Sequence, residues 1–298
     1  MGHPIVECVP NVSEGRRAEV IDAIAEAVRR TDGVRLLNVQ SDQSHNRSVI
    51  TFAGAPQAAA EAAFALCARA AALIDMNDHR GEHPRLGAVD VVPFVPITEV
   101  TMAEAVGLAL ALGARIWETL RVPVYFYAQA ARRPERVRLP DIRKGEYEGL
   151  PQKMEDPAWA PDVGDPAPHR TAGAVVVGAR RPLIAYNINL TTTDVAVART
   201  IARAIRESSG GMAGIQAMGV TSAGGQAQVS MNLLDYETTS IASAFDAVRR
   251  EALTRGTEIA ESEIVGLVPL DALVDAARAG LRLRGFDRSQ ILETHLME

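Results

Sequence analysis

One order of strands and helices occurs twice along this chain, and it limits the folds that the chain can adopt. Hydrophobic spacing predicts a first series β-α-β-β-α-β, with strands at 5–10, 34–39, 48–52 and 88–95 and helices at 16–30 and 57–76. A helix at 102–120 and a strand at 122–127 follow, and order resumes with a strand at 174–178. The second series has strands at 183–188, 215–220, 228–233 and 258–268 and helices at 194–208 and 240–255. Each series is a split β-α-β unit.

We therefore predict an α/β (α+β) fold of two ferredoxin-like βαββαβ subdomains, each an antiparallel sheet covered by helices. We place the boundary between the subdomains after residue 180. This gives an N-terminal subdomain over residues 1–180 and a C-terminal subdomain over residues 181–298. Two such sheets placed face to face leave a cleft, which is a common position for a ligand site. Residues 132–170 contain seven prolines and many charges, and they are interpreted as a functional loop or a linker. Its cations (Arg132, Arg133, Arg136, Arg138, Arg143 and Lys144) are interpreted as a solvated face.

The composition narrows the classes of partner. The 298 residues are 47 % hydrophobic and 23 % charged, which is typical of a soluble globular chain. No apolar window is long enough to span a membrane, and the N-terminus lacks a secretory signal, so we expect a cytoplasmic protein. A net charge of −6 and an aromatic content of 4 % disfavour nucleic acid as a partner. Cys8 and Cys67 are interpreted as small buried hydrophobic residues.

Two polar loops are candidates for chemistry. The first, between two predicted strands, brings together Asp42, His45, Asn46 and Arg47, and its alternative interpretation is a solvated turn. The second covers residues 79–90 and contains two histidines four residues apart. That spacing suits zinc on a helix, but the intervening glycine and the following proline disfavour a helix there. His83, flanked by Glu82 and Arg85, suits a general acid or base, because imidazole titrates near neutral pH; the alternative is a structural loop histidine.

A third loop, residues 161–174, is rich in glycine and proline and precedes a strand. Its backbone N–H groups would suit an anionic or heterocyclic ligand. The chain contains no phosphate-binding loop, no dinucleotide fingerprint and no Gly-x-Ser-x-Gly elbow. If the chain is an enzyme, direct group transfer with acid–base assistance is therefore favoured over a covalent intermediate.

Several long motifs, in a fixed order along the chain, resemble the glutamate formiminotransferase family. They are Val-Glu-Cys-Val-Pro-Asn-Val-Ser-Glu-Gly at 6–15, His-Asn-Arg-Ser at 45–48, Gly-Glu-His-Pro-Arg-Leu-Gly-Ala-Val-Asp-Val-Val-Pro-Phe at 81–94, Ile-Arg-Lys-Gly-Glu-Tyr-Glu-Gly-Leu at 142–150, Val-Gly-Ala-Arg at 177–180, Ala-Tyr-Asn-Ile-Asn-Leu at 185–190, Ala-Gln-Val-Ser-Met-Asn-Leu at 227–233 and Val-Gly-Leu-Val-Pro at 265–269. The resemblance runs almost from end to end. The chain resembles the stand-alone form of the family rather than the form fused to a cyclodeaminase domain.

The resemblance implies both a fold and an activity. Family members have two similar subdomains with folate in a tunnel between them. They transfer the formimino group between N-formimino-L-glutamate and tetrahydrofolate, giving 5-formimino-tetrahydrofolate and L-glutamate, a step of one-carbon metabolism and histidine degradation. The resemblance thus implies tetrahydrofolate as co-substrate, small-molecule partners, no metal and a homodimer. It assigns catalysis to His83 and folate contacts to the stretch that contains Gly164, His169, Thr171 and Gly173.

The remaining roles follow from residue chemistry. We predict that His83 takes the proton from the attacking amine and returns it to the leaving one. Arg47 and Arg85 are predicted to hold substrate carboxylates, because a guanidinium can bind a carboxylate with two hydrogen bonds. His45 and Asn46 are expected to contact substrate, and Asp42 or Glu82 either orients His83 or holds the cationic amidine.

Two folate predictions have open alternatives. Asn187 and Asn189 alternate along a strand and therefore point to one face, toward the pterin or toward solvent. His169 is either a folate contact or a bystander. Two alternative functions also stay open, namely formyl transfer from 5-formyl-tetrahydrofolate to glutamate and non-catalytic folate binding.

Overall fold

A computed structural model describes residues 3–297 of the chain, and the chain divides into two compact units, one up to Arg180 and one from Arg181. The strands of the first unit are β1 (Ile5–Cys8), β2 (Asn11–Val12), β3 (Val34–Asp42), β4 (Arg47–Gly54), β5 (Val89–Thr98), β6 (Val124–Ala128) and β7 (Val175–Ala179). Its α-helices are α1 (Ala18–Arg29), α2 (Pro56–Leu73), α3 (Met102–Leu120), α4 (Leu139–Arg143) and α5 (Glu146–Glu155). None of the helices within residues 3–297 is both long and apolar enough to cross a membrane.

The second unit has fewer elements. Its strands are β8 (Ile184–Leu190), β9 (Ile215–Thr221), β10 (Ala227–Leu233) and β11 (Ile259–Val265). Its α-helices are α6 (Val195–Ile205), α7 (Ile241–Leu253), α8 (Leu270–Leu281) and α9 (Thr294–Met297). Short 3-10 helices occur in both units, at Pro134–Arg136, Pro157–Trp159, Glu207–Ser209 and Arg288–Gln290.

The first β-α-β-β-α-β series folds as predicted. Strands β1 and β2 lie in line between β4 and β5 and are antiparallel to both, and β3 pairs with the outer side of β4. The order β3-β4-β1/β2-β5 is that of a ferredoxin-like sheet. Helices α1, α2 and α3 cover one face of this sheet, and their apolar sides form one core with Ile24, Phe52, Leu66 and Phe94.

The sheet of the first unit differs from the predicted antiparallel sheet at one edge. Strand β7 pairs with β5 and with β6, and both pairings are parallel. The chain passes from β5 through α3 to β6, and then through residues 129–174 back to β7 in the middle. The second passage covers the other face of the sheet, where Tyr125, Tyr127, Ile142, Leu150 and Met154 form a separate core. The three strands are buried where they pair, and β6, β7 and residues 91–94 of β5 are accordingly continuous apolar runs.

The segment between β6 and β7 is ordered, which the sequence did not predict. Helix α5 contains Pro151, which cannot donate a backbone hydrogen bond and therefore obscures the helical pattern. The prediction of a solvated cationic face is wrong for Arg136, which is 0 % exposed. Its Nη1 lies 2.7 Å from Oδ2 of Asp162, and its Nη2 donates to the carbonyls of Ala158 and Ala160. Burial of an arginine inside its own loop gives no signal in the sequence.

The second β-α-β-β-α-β series forms a four-stranded antiparallel sheet in the order β11-β8-β10-β9, as predicted. Alternate residues of β8, namely Ile184, Tyr186, Ile188 and Leu190, enter a core with α6 and α7. The residues between them lie on the opposite face, which is polar. The predicted α/β class with two sheets is therefore confirmed.

Candidate active site

Two glycines allow three loops of the first unit to meet. A Cβ at Gly15, in the β2–α1 loop, would lie 2.2 Å from the carbonyl oxygen of Asp42. A Cβ at Gly81, in the loop between α2 and β5, would lie 2.2 Å from the carbonyl oxygen of His45. Both distances are far below contact distance, so only glycine permits this approach to the β3–β4 turn. The two polar loops around His45 and His83 are therefore brought together, and the β2–α1 loop with Gly15 packs against them.

Asn46 is the joint between these loops. It is 7 % exposed and lies in the left-handed region with a φ of 48°. Its Oδ1 accepts a hydrogen bond from the backbone N–H of Gly15 at 2.9 Å, and its Nδ2 donates to the carbonyl of Arg80 at 3.0 Å. These contacts support a positioning role for Asn46, and its predicted contact with substrate stays a prediction.

Arg85 is held by protein groups. Its Nη1 donates to Glu146 and Glu148, its Nη2 donates to Glu148 at 2.6 Å, and its Nε donates to Nδ1 of His79 at 3.2 Å. Nε2 of His79 is 2.9 Å from the carbonyl oxygen of Asn46. Both ring nitrogens of His79 are thus engaged, which leaves no lone pair for zinc. The contacts of Arg85 support a scaffolding role, and its predicted role in substrate binding gains no support from them.

His83 has the environment of a functional imidazole. Its Nδ1 is buried and has no hydrogen-bond partner in the described part of the chain. Burial, followed by the positive charges of Arg47 and Arg143, lowers the pKa of His83 from 6.5 to about 3. The ring is therefore neutral near pH 7 and has a free site for a proton. A buried polar atom without a partner is rare in proteins, and together with the lowered pKa it makes His83 a candidate for a group that acts on a ligand.

Two guanidinium groups lie beside this imidazole. Nε of Arg47, at the start of β4, donates to Oδ1 of Asn11 at 2.8 Å. Burial, followed by the charge of Arg143, lowers the pKa of Arg47 to about 10. Arg143, at the end of α4, forms an ion pair with Asp90, which is 2 % exposed. The sequence interpretation placed Arg143 on a solvated face, and this ion pair contradicts it.

The two predicted carboxylates are on the outside of the site. Asp42 is exposed and accepts hydrogen bonds from His45, at Oδ1 from the backbone N–H and at Oδ2 from Nδ1, each at 2.8 Å. These bonds outweigh partial burial and lower the pKa of Asp42. The ring of His45 meets that of His83 edge to face, with centroids 6.0 Å apart. Glu82 is exposed, and its backbone N–H donates to the carbonyl of Ser44 at 3.3 Å. Only Asp42 is thus linked to His83, through His45.

The predicted folate loop is a tightly packed turn. Nδ1 of His169 accepts the backbone N–H groups of Thr171 and Ala172, at 3.3 and 3.0 Å. Gly164 has a φ of 105° and packs on Trp117, and Gly173 has a φ of 68° and lies against the carbonyl of Leu86. Backbone conformation alone explains why glycine occupies both positions, since their positive φ angles disfavour other residues. Their predicted contacts with folate stay predictions.

Asn187 and Asn189 lie on the polar face of the second sheet. Their side chains donate to Glu263 and Glu261 of β11, each at 3.0 Å. Oδ1 of Asn189 also accepts a hydrogen bond from Gln228 of β10 at 2.9 Å. The prediction that both asparagines share one face is thus consistent with the alternating burial of β8. Their contact with a pterin stays a prediction.

A small cleft collects the central residues. Its lining is Ser13, His45, Asn46, Arg47, His79, His83, Arg85 and Asp90. Sequence reasoning missed Asp90, Arg143 and Asn11 as members of this site. The only signal for them was their presence in the family-like motifs, because their partners are remote in sequence.

Comparison with known proteins covers almost the whole chain. The family model for the N-terminal subdomain of the formiminotransferase domain matches residues 5–180, and the model for the formiminotransferase domain matches residues 185–288. A glutamate formimidoyltransferase of Streptococcus pyogenes serotype M1 is 45 % identical over 295 residues, which cover 98 % of this chain and 99 % of that protein.

Two further relatives extend this similarity. A glutamate formimidoyltransferase of Thermoplasma acidophilum is 47 % identical over 97 % of this chain and 96 % of that protein. The formimidoyltransferase-cyclodeaminase of Rattus norvegicus is 47 % identical over 92 % of this chain but only 52 % of its own length. The resemblance noted in the sequence is confirmed, and the chain belongs to the formiminotransferase family.

Proposed function

We propose that this chain transfers the formimino group between N-formimino-L-glutamate and N5 of tetrahydrofolate, with His83 as the proton carrier. The observation that carries the proposal is the neutral, half-buried imidazole of His83, whose buried Nδ1 lacks a partner in the described residues and which lies beside two arginines. Family membership and the relatives named glutamate formimidoyltransferase support the choice of substrates. Tetrahydrofolate serves as co-substrate.

The reaction moves one proton from N5 of tetrahydrofolate to the glutamate nitrogen. N5 of tetrahydrofolate forms a bond to the amidine carbon, and the bond from that carbon to the glutamate nitrogen breaks. The proton lost by N5 is the proton that the glutamate nitrogen gains, so a single neutral base that accepts it and returns it completes the balance. His83 has a free lone pair for this proton, whereas the lone pair of His79 is occupied by Arg85.

Other residues of the cleft bind and orient. Arg47 donates its Nε–H to Oδ1 of Asn11, which leaves its two terminal nitrogens for a substrate carboxylate. Asp42 and His45 form a polar arm at the exposed side of the imidazole, suited to the amidine N–H groups. We assign folate contacts to the loop of Gly164, His169, Thr171 and Gly173, as the family resemblance suggests. We assign them also to Asn187 and Asn189, because both lie on one face of β8.

The test is an assay with two donors. Purified chain with tetrahydrofolate and N-formimino-L-glutamate is expected to give 5-formimino-tetrahydrofolate, detected as the 5,10-methenyl derivative after acid treatment. A parallel assay supplies 5-formyl-tetrahydrofolate and glutamate. Product only from the second pair would replace formimino transfer by formyl transfer, and saturable folate binding with no product from either pair would favour a binding protein.

The role of His83 has its own variant. We expect His83→Gln to lower kcat by about 10²- to 10⁴-fold, the usual contribution of acid–base catalysis, and to retain folate binding. His295→Gln, an exposed histidine of the second unit, is the control and should leave kcat unchanged. Full activity of His83→Gln would refute the assignment.

A further inference from the structure

The protein satisfies the guanidinium of Arg143 only in part. Its Nη2 is paired with the buried carboxylate of Asp90, yet its Nε is buried and has no hydrogen-bond partner within residues 3–297. Guanidinium N–H groups are donors only, so a buried Nε without an acceptor is unfavourable in the free protein. A ligand that brings an oxygen to this position removes the penalty.

The charges around the site point to an anion. Arg143 is paired with Asp90, which lines the same cleft as Arg47 and His83, and the charge of Arg143 contributes to the lowered pKa of Arg47. Asp90 supplies one buried negative charge against these two positive ones, whereas Asp42, whose charge also acts on Arg47, is exposed to solvent. The neutral His83 adds none. The buried cluster thus has an excess of one positive charge, which one carboxylate would neutralise.

We propose that Arg143 and Arg47 together bind one carboxylate of the amino-acid substrate directly beside His83. This deepens the proposed function, on which it rests, by naming the second arginine that holds the substrate. Arg143 takes the part that the sequence assigned to Arg85, whose guanidinium is occupied by Glu146, Glu148 and His79.

The arrangement also couples binding to base strength. The charged or titratable groups that act on His83 are Arg47 from β4, Arg143 from α4 and His45 from the β3–β4 turn. Both arginines disfavour protonation of the imidazole. A bound carboxylate offsets their charge, so His83 becomes a stronger base when the substrate is in place and is a weak one in the free protein.

Glutarate is a suitable probe, because it has the two carboxylates of the substrate's glutamyl part and nothing to transfer. NMR of histidine-labelled protein would follow the titration of His83. In the wild type we expect saturating glutarate to raise the pKa of His83, and the neutral diamide glutaramide to leave it unchanged. In Arg143→Gln, the pKa of His83 should already be higher without ligand, and glutarate should raise it less.

Binding and activity give the second readout. Arg143→Gln should weaken glutarate binding and lower kcat/KM for N-formimino-L-glutamate, each by about ten- to a hundredfold, the usual effect of losing a charged hydrogen bond. The matched control is Arg138→Gln, an exposed arginine at the other end of α4 whose Nε is 3.9 Å from Asp141. Glutarate binding and a His83 titration in Arg143→Gln that equal the wild type would overturn the proposal.

The outcomes separate this inference from the proposed function. If the wild type binds glutarate and shifts His83 but forms no formimino product, the anion site stands and the transfer reaction fails. If product forms and Arg143 has no effect on glutarate binding, the reaction stands and the anion site fails. Should Arg143→Gln not fold, as judged by circular dichroism, the comparison of glutarate with glutaramide in the wild type decides.

Discussion

Nε of Arg85 donates a hydrogen bond to Nδ1 of His79 at 3.2 Å, and this bond defines which histidine of the cleft can move protons. Arginine has no acceptor, so Nδ1 of His79 must carry the lone pair and Nε2 must carry the hydrogen, which it donates to the carbonyl of Asn46. Burial outweighs this last bond and lowers the pKa of His79. His79 is thus a neutral structural link, and His83 retains a lone pair.

Replacement of His79 tests this link. His79→Leu removes the acceptor of a buried Arg85 N–H and the donor to Asn46, and leaves both without partners. We expect the free energy of unfolding of the first unit to fall by about 1–3 kcal/mol, the usual effect of an unsatisfied buried polar group. Urea unfolding checks the value. A variant as stable as the wild type would show that these bonds contribute nothing.

The approach of the loops at Gly81 can be tested with a matched pair. Gly81→Ala places a methyl group 2.2 Å from the carbonyl oxygen of His45, so the two loops must separate and activity should fall at least tenfold. Gly107→Ala, on an exposed turn of α3 with open space around it, should instead stabilise the protein by about 1 kcal/mol. Both are measured by kcat/KM and by Tm. Equal activity of the two variants would contradict the packing argument.

Two variants of Asn46 distinguish the effect of backbone strain on stability from the effect of the lost side-chain hydrogen bonds. Asn46→Ala loses two hydrogen bonds and keeps a side chain at a φ of 48°, whereas Asn46→Gly loses the same bonds in a conformation that glycine adopts freely. We expect Asn46→Ala to be less stable than the wild type by about 3 kcal/mol and less stable than Asn46→Gly by about 1 kcal/mol. Chemical unfolding gives both values, and a reversed order of the two variants would exclude strain.

The lowered pKa of His83 predicts that the free energy of unfolding depends on pH. Its pKa is about 3 in the folded chain and 6.5 when unperturbed. Between these values the unfolded chain binds a proton that the folded chain does not, so the free energy of unfolding decreases as pH falls from 6.5 toward 3. His83→Gln removes this contribution and should flatten the decrease. Unfolding curves over this pH window are the measurement, and an unchanged slope would mean that the imidazole is solvated.

Lys153 is expected to position Arg143. Its Nζ donates to the carbonyls of Asp141, Ile142 and Lys144 at the C-terminal end of α4. Lys153→Met frees that end, so we expect weaker glutarate binding by about tenfold with folate binding retained. Lys144→Gln removes a neighbouring charge without these bonds and serves as control. If both variants weaken glutarate binding equally, the effect is one of net charge rather than of position.

The fold could be predicted because its information is local. Strands and helices of both β-α-β-β-α-β series follow from hydrophobic spacing, and a motif around His83 identified the candidate base. Arg143 could not be placed in this way, since its partner Asp90 lies 53 residues earlier in the chain. Pro151 inside α5 hid the helical character of the segment that positions it. The parallel pairing of β7 with β5 and β6 was missed for a similar reason, because pairing direction depends on the route of the chain and not on the apolar run itself. The homodimer and the folate residues stay predictions.

The position of β7 between β5 and β6 has a consequence for synthesis of the chain. The base is encoded early, at His83, but the segment with Arg143 is fixed to the sheet only after β7 has been made and inserted. A ribosome-bound chain that ends at Tyr127 therefore contains His83 and Arg47 but not Arg143. The segment that carries Arg143 packs on β6 and β7, so its placement beside Asp90 depends on the last strand of the first unit.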